Sequence, residues 1–200
     1  MTGYSDRINH ALAFAAKHHD QQVRRGTRPP YFTQPANLAV MLTRYGRAEE
    51  CVTAGILLEV VEDYSREGHP RDWMQQRIGE KFGADALDIA LMAGERRTDD
   101  GGTEMTSDER RADLLSRLSG ATDDARWLVA ADALHSAGSL LADLRRTVEA
   151  NSVWRRLSLG REKTVGGYRR IHDRLADLGF DAPILTELDA TVRALEGHAD

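Results

Sequence analysis

A chain of 200 residues is long enough for one well-packed domain, or at most two small ones. Its 41% hydrophobic and 30% charged residues are ordinary for a soluble protein, and a net charge of −5 argues against a general nucleic-acid binder. One cysteine, Cys51, excludes an internal disulfide and fits a reducing compartment. With no apolar run of bilayer length and no signal-like start, the expectation is a cytoplasmic protein without a membrane partner.

Helical periodicity runs through almost the whole chain, and no strand alternation is sustained. Ser5 is a good N-cap for a first helix whose apolar face is Ile8, Ala11, Leu12 and Ala15. That helix runs into His18, His19 and Asp20. An adjacent histidine pair cannot share a helical face, so it reads as a helix-end or loop pair rather than as metal ligands. The following stretch, from Arg24 through Pro29, Pro30, Tyr31, Phe32, Thr33 and Gln34 to Pro35, cannot be helical across its prolines. Pro35 suits the first position of a second helix, with Leu38, Val40, Met41 and Leu42 as its core face.

A third helix begins near Glu49 and is apolar almost all round, which predicts burial; Cys51 packs there as a small hydrophobe. Into it are set Glu59, Glu62 and Asp63, three and four residues apart and so on one face. Buried carboxylates are costly unless a metal, a cation or a shared proton offsets them. Arginines, of which the chain holds 24, are the plain alternative.

After Pro70 the pattern predicts a helix to about Lys81, then a break at Phe82-Gly83 and a helix from Ala84 to about Arg97. Residues 98–105, rich in glycine and acid, read as a mobile loop, and Thr106 with Glu109 has capping-box spacing. Thr122 caps a long helix towards Arg146, in which Asp132 is another acid among apolar neighbours. If it lies beside the third helix, four carboxylates come together. Further helices are expected near 148–157, 162–178 and 182–195. The basic residues Arg155, Arg156, Arg161, Lys163, Arg169, Arg170 and Arg174 form either a phosphate-binding surface or a solvated face paired with acids. The pair Gly166-Gly167 lacks the setting of a nucleotide loop. The expected architecture is one all-α bundle of roughly eight to ten helices spanning residues 1–200, with the C-terminal helix at 181–197 packed on it.

In chain order, Gln22-Val23-Arg24-Arg25-Gly26-Thr27, Pro30 to Pro35, Ala54-Gly55-Ile56-Leu57, Val61-Glu62-Asp63, Phe82-Gly83, Ala131-Asp132-Ala133-Leu134, Trp154, Lys163 and Tyr168 resemble the HD-domain phosphohydrolases. The similarity is to the stand-alone enzymes that remove the 3′-pyrophosphate from guanosine polyphosphates, and it covers about residues 8–175. The resemblance implies an all-α fold and a metal, usually manganese, at positions occupied here by Gln34, Leu58, Glu59 and Asp132. Of these only Asp132 keeps the family's residue, and leucine cannot ligate a metal. The pair that handles the attacking water in the family is intact as Glu62 and Asp63. Arg24, Tyr31, Lys163 and Tyr168 correspond to substrate-binding positions, whereas Ala133 and Ser136 replace a basic residue and an asparagine.

The resemblance therefore implies a degenerate member of the family: a binding or interaction module for a nucleotide or pyrophosphate-bearing small molecule, or a protein partner, with no metal cofactor expected. The competing expectation is a working phosphohydrolase whose oxygen-only site holds a hard divalent cation, magnesium or manganese.

Overall fold

The computed structural model describes residues 4–23 and 30–198; Arg24, one of the expected substrate-binding residues, lies outside them. Among the described residues there are helices and no strands, only isolated bridges between Val23 and Pro30 and between Thr98 and Glu104. Helix α1 spans Asp6–His18, α2 Thr33–Arg44 and α3 Glu49–Arg66. Next come α4 (Arg71–Met74), a π-helical turn at Gln75–Gly79 and α5 (Glu80–Phe82), so the stretch whose periodicity suggests one helix is broken by a π turn. After these come α6 (Ala84–Ala93), α7 (Ser107–Arg117), a 3₁₀ turn at Leu118–Gly120 and α8 (Asp123–Arg146). Helices α9 (Ala150–Trp154), α10 (Gly160–Asp177) and α11 (Pro183–Glu196) complete the bundle.

The local signals act as expected where the chemistry is local. Ser5 accepts from the Ile8 amide, Thr122 accepts from the Ala125 amide, and Thr106 and Glu109 close a reciprocal capping box. Helix α2 starts two residues before Pro35, which therefore sits inside the first turn, where its missing N–H would have had no partner anyway. Residues 98–105 form a folded turn rather than a mobile loop. Asp99 Oδ1 accepts from the Gly101 and Thr103 amides, Met105 N donates to the Arg97 carbonyl, and the Met105 side chain is buried. The positive φ of 80° at Gly102 makes that turn possible.

Helix α3 is the central element, enclosed by α1, α2, α6 and α8. From Cys51 to Val61 every residue is buried, and burial pushes the Cys51 thiol up to about 12. One continuous core runs from Ile8 to Leu195, and α11 packs on α8 and α10 within it. Arg117 ties the end of α6 to α7: it donates to the Met92 and Gly94 carbonyls and pairs with Asp113 at 2.8 Å.

Gly55 lets α2 and α3 approach, since a Cβ there would lie 2.7 Å from Leu42 Cδ1. Because α2 carries Gln34 and α3 carries Glu59, the spacing of the two helices also sets how those side chains meet. Replacing Gly55 with Val overpacks this contact and is expected to cost about 1–3 kcal/mol, read as a lower denaturation midpoint at unchanged m-value. A wild-type midpoint would show that α2 can shift freely.

Candidate functional site

The acids of α3 and α8 are brought towards one another, but each is satisfied in its own way. Gln34, 5% exposed at the start of α2, points its amide between the two helices. Its Nε2 donates to Glu59 Oε1 and, at 2.8 Å, to Asp132 Oδ1. Tyr31 donates its hydroxyl to the other Glu59 oxygen at 2.6 Å. Burial, reinforced by the Glu59 charge, holds the Tyr31 phenol far above its ordinary pKa, so it remains a donor. Leu58 is 3% exposed in the core and has no donor atom.

Glu62 faces the end of α6, where Oε1 accepts from the Glu95 amide at 2.8 Å. Burial first, and the charge of Glu59 second, raise its carboxyl well above the usual range; the Glu95 hydrogen bond opposes this without reversing it. Asp63 turns the other way and accepts from His18 Nε2 at 3.0 Å and from Arg66 Nη1 at 2.7 Å. The four carboxylates thus do not converge on one point, in contrast to the cluster that the sequence pattern suggests. Among the described residues, the one group of three metal-competent side chains is instead His18, His19 and Asp63, whose ligand atoms lie within 4.8 Å of one another.

That grouping corrects the reading of His18 and His19 as a pair unable to act together. His18 is the last residue of α1, but His19 is its C-cap, at φ −98° and ψ 14°, and has left the helical repeat. The two rings meet edge to face with centroids 4.7 Å apart. His19 is 2% exposed; Nδ1 donates to Gln22 Oε1 at 2.9 Å, while Nε2 is buried with no hydrogen-bond partner. Burial, the largest influence, lowers its pKa below the ordinary histidine value despite the Gln22 bond. The signal for this arrangement is the end of helical periodicity at His18, which frees the next side chain from the helix face.

The remaining expected binding residues divide. Tyr168 lines a cleft of about 650 Å³ between α2, α8 and α10, together with Thr33, Asn37, His135, Ser136 and Arg146. Asn37 and His135, which sequence reasoning did not single out, are hydrogen-bonded across that cleft at 3.2 Å. Lys163 stands on the exposed face of α10, paired with Asp108 at 2.8 Å. Arg155 and Arg169 likewise pair with acids, so this part of the basic run is a solvated face.

An all-α bundle with acids from α3 and α8 gathered about one residue of α2 defines a class, and sequence comparison agrees. The HD domain family matches residues 11–157, and the chain belongs to that family. Among solved structures, it is similar to one described as a metazoan ortholog of SpoT that hydrolyzes ppGpp and plays a role in starvation responses, with a TM-score of 0.72 at 22% identity. That likeness covers 96% of this chain and 97% of the other. A second, lmo0812 from Listeria monocytogenes EGD-e, gives a TM-score of 0.64 at 23% identity over 83% of this chain and 97% of the other. At these identities the likeness speaks for the fold. No curated protein sequence matches.

The raised pKa of Glu62 has a measurable consequence. A carboxyl whose pKa rises on folding holds its proton to a higher pH than in the unfolded chain, where a glutamate titrates near roughly pH 4.3. Stability is thus fully present below that value and falls as pH rises towards the folded pKa, by up to about 1.4 kcal/mol per pH unit. Glu62→Gln cannot ionise and keeps an oxygen for the Glu95 amide. Its melting temperature should match the wild type near pH 4.5 and exceed it at pH 8; a difference that does not vary with pH would refute the raised pKa of Glu62.

Proposed function

We propose that this chain is an HD-fold binding module for a nucleotide or another pyrophosphate-bearing small molecule, without the metal-dependent hydrolysis of the enzymes it resembles. The observation that carries the reading is the Gln34 amide. An NH₂ group has two hydrogens, and here one goes to Glu59 and the other to Asp132. The amide takes the place that a cation would hold between the two acids. Leu58 supplies no fourth donor, and Gln34 meets the acids with its donor atom rather than with its oxygen. This donor set does not fit a tightly held transition ion. Without a metal there, a water at that point lacks the Lewis acid that would make it a nucleophile at neutral pH.

The cleft beside Asp132 supports the binding half of the reading. Its volume suits a small-molecule ligand. The Tyr168 ring offers a stacking face, Arg146 offers a cation for phosphate, and Thr33, Asn37, His135 and Ser136 offer hydrogen bonds at the wall. Ser136 of the cleft wall follows Asp132 by four residues, one turn along α8. The similar metazoan protein is described as hydrolysing ppGpp, which makes a guanosine polyphosphate the first ligand to test.

Guanosine tetraphosphate should raise the melting temperature, with the shift lost in Tyr168→Ala and Arg146→Ala. The same protein with manganese should release no pyrophosphate. Pyrophosphate release by the natural chain would overturn the loss of hydrolysis, and no stabilisation by guanine or adenine nucleotides would overturn nucleotide binding. As a converse test, Gln34→His with Leu58→His and Glu59→Asp should create an additional manganese site between α2, α3 and α8, detectable by electron paramagnetic resonance as a binding equivalent beyond any in the natural chain.

A further inference from the structure

We propose that His18, His19 and Asp63 form a binding site for a divalent first-row cation, zinc by its donor set, one turn along α3 from the family's metal position. The site is independent of nucleotide binding. Its elements come from two segments: the end of α1 supplies the imidazoles, and α3 supplies the carboxylate. One ligand atom from each of the three lies within 4.8 Å of the other two. Tetrahedral zinc, with bonds of about 2.0–2.1 Å, keeps its ligand atoms a little over about 3 Å apart. The His18–Asp63 separation of 3.0 Å is already of that size, and the His19 ligand atom, within 4.8 Å of both, closes the site by moving inward.

The state of His19 points independently to a ligand. Its Nδ1–H is held by Gln22 Oε1, which fixes the tautomer and leaves Nε2 with its lone pair. That nitrogen is buried and has no hydrogen-bond partner among the described residues, an arrangement that calls for a water or an ion beside it. An acceptor oxygen on the far ring nitrogen is the support that metal-binding histidines ordinarily have. Asp63 is prepared in the same way: Arg66 occupies Oδ1, and Oδ2 faces the imidazoles. Two imidazoles and one carboxylate favour a borderline ion over magnesium or calcium. On binding, His18 takes the tautomer with its proton on Nδ1, which frees the Nε2 lone pair for the ion, and Asp63 Oδ2 exchanges its hydrogen bond from His18 for a bond to the ion. Three protein donors leave at least one position for water or a ligand oxygen.

Metal-stripped protein, with no nucleotide present, would be titrated with zinc and with cobalt(II) against a chromophoric chelator. The expected result is one equivalent of zinc, and visible cobalt absorption of a low-coordinate nitrogen–oxygen site. Gln22→Leu should weaken binding by roughly 10–100-fold, and His18→Ala by more, each with an unchanged far-ultraviolet circular dichroism spectrum. The His18 ring is partly exposed, so His18→Ala remains decisive should a change at His19 or Gln22 disturb folding. The absence of saturable binding would overturn the proposal, as would full affinity in both His18→Ala and Asp63→Asn. Binding that survives in His18→Ala but is lost in Gln34→Ala would place the ion at the family position and overturn it equally.

Discussion

Three helices of this protein meet through one side-chain amide. Gln34 reaches from the start of α2 to Glu59 on α3 and Asp132 on α8, residues separated from it by 25 and 98 positions in the chain. Two carboxylates facing each other in a protein interior repel, and each loses hydration, so the pair persists only with something positive or proton-donating between them. A metal ion is one solution. A carboxamide is a weaker one, but it is directional: both of its hydrogens are used, and the separation of the helices is set by two hydrogen bonds. The close α2–α3 approach at Gly55 belongs to the same constraint, because a wider gap would part the amide from Glu59.

The neighbouring acids show how differently one helix face can be satisfied. Glu59 takes neutral donors, Gln34 and Tyr31. Glu62, half-buried beside that charge, has its carboxyl pushed above the usual range and rests on a backbone amide held in place by the Arg117 clamp on α6. Asp63 is partnered by a guanidinium and an imidazole. None of the three needs the arginine cage that composition alone would suggest, although Arg66 does serve Asp63. The polar interior is thus divided into an amide-bridged half near α8 and a histidine-rich half near α1, with α3 as the wall between them.

That division is partly legible in the sequence. The burial of Glu59 and the shared face of Glu59, Glu62 and Asp63 follow from a helical repeat in an apolar run, and the caps at Ser5, Thr106 and Thr122 follow from local hydrogen-bond chemistry. The family likeness rests on motifs whose order along the chain is kept. Other features escape for definite reasons. His18 and His19 are incompatible if both are taken as helical, and only the backbone turn at His19 brings the rings together. Residues 98–105 look mobile by composition, but the Asp99 side chain caps two amides and turns them into a closed loop. The resemblance places Lys163 among substrate-binding positions, and only the fold shows that its helix face brings it to Asp108.

By itself, the sequence determined the helical class of this protein, the buried helix with its row of acids, and a side chain without donor atoms at Leu58 on that helix. These follow from periodicity, burial and the donor atoms a side chain has, none of which needs a partner to be known. The tertiary structure alone decided what neutralises each acid. That outcome depends on which residue of α1, α2 or α6 arrives opposite it, and on whether that residue brings a proton, a charge or a lone pair. The same four carboxylates could have held an ion among them. The approach of one glutamine and two histidines divides them into an amide bridge, a glutamate resting on a backbone amide and a histidine–aspartate cluster.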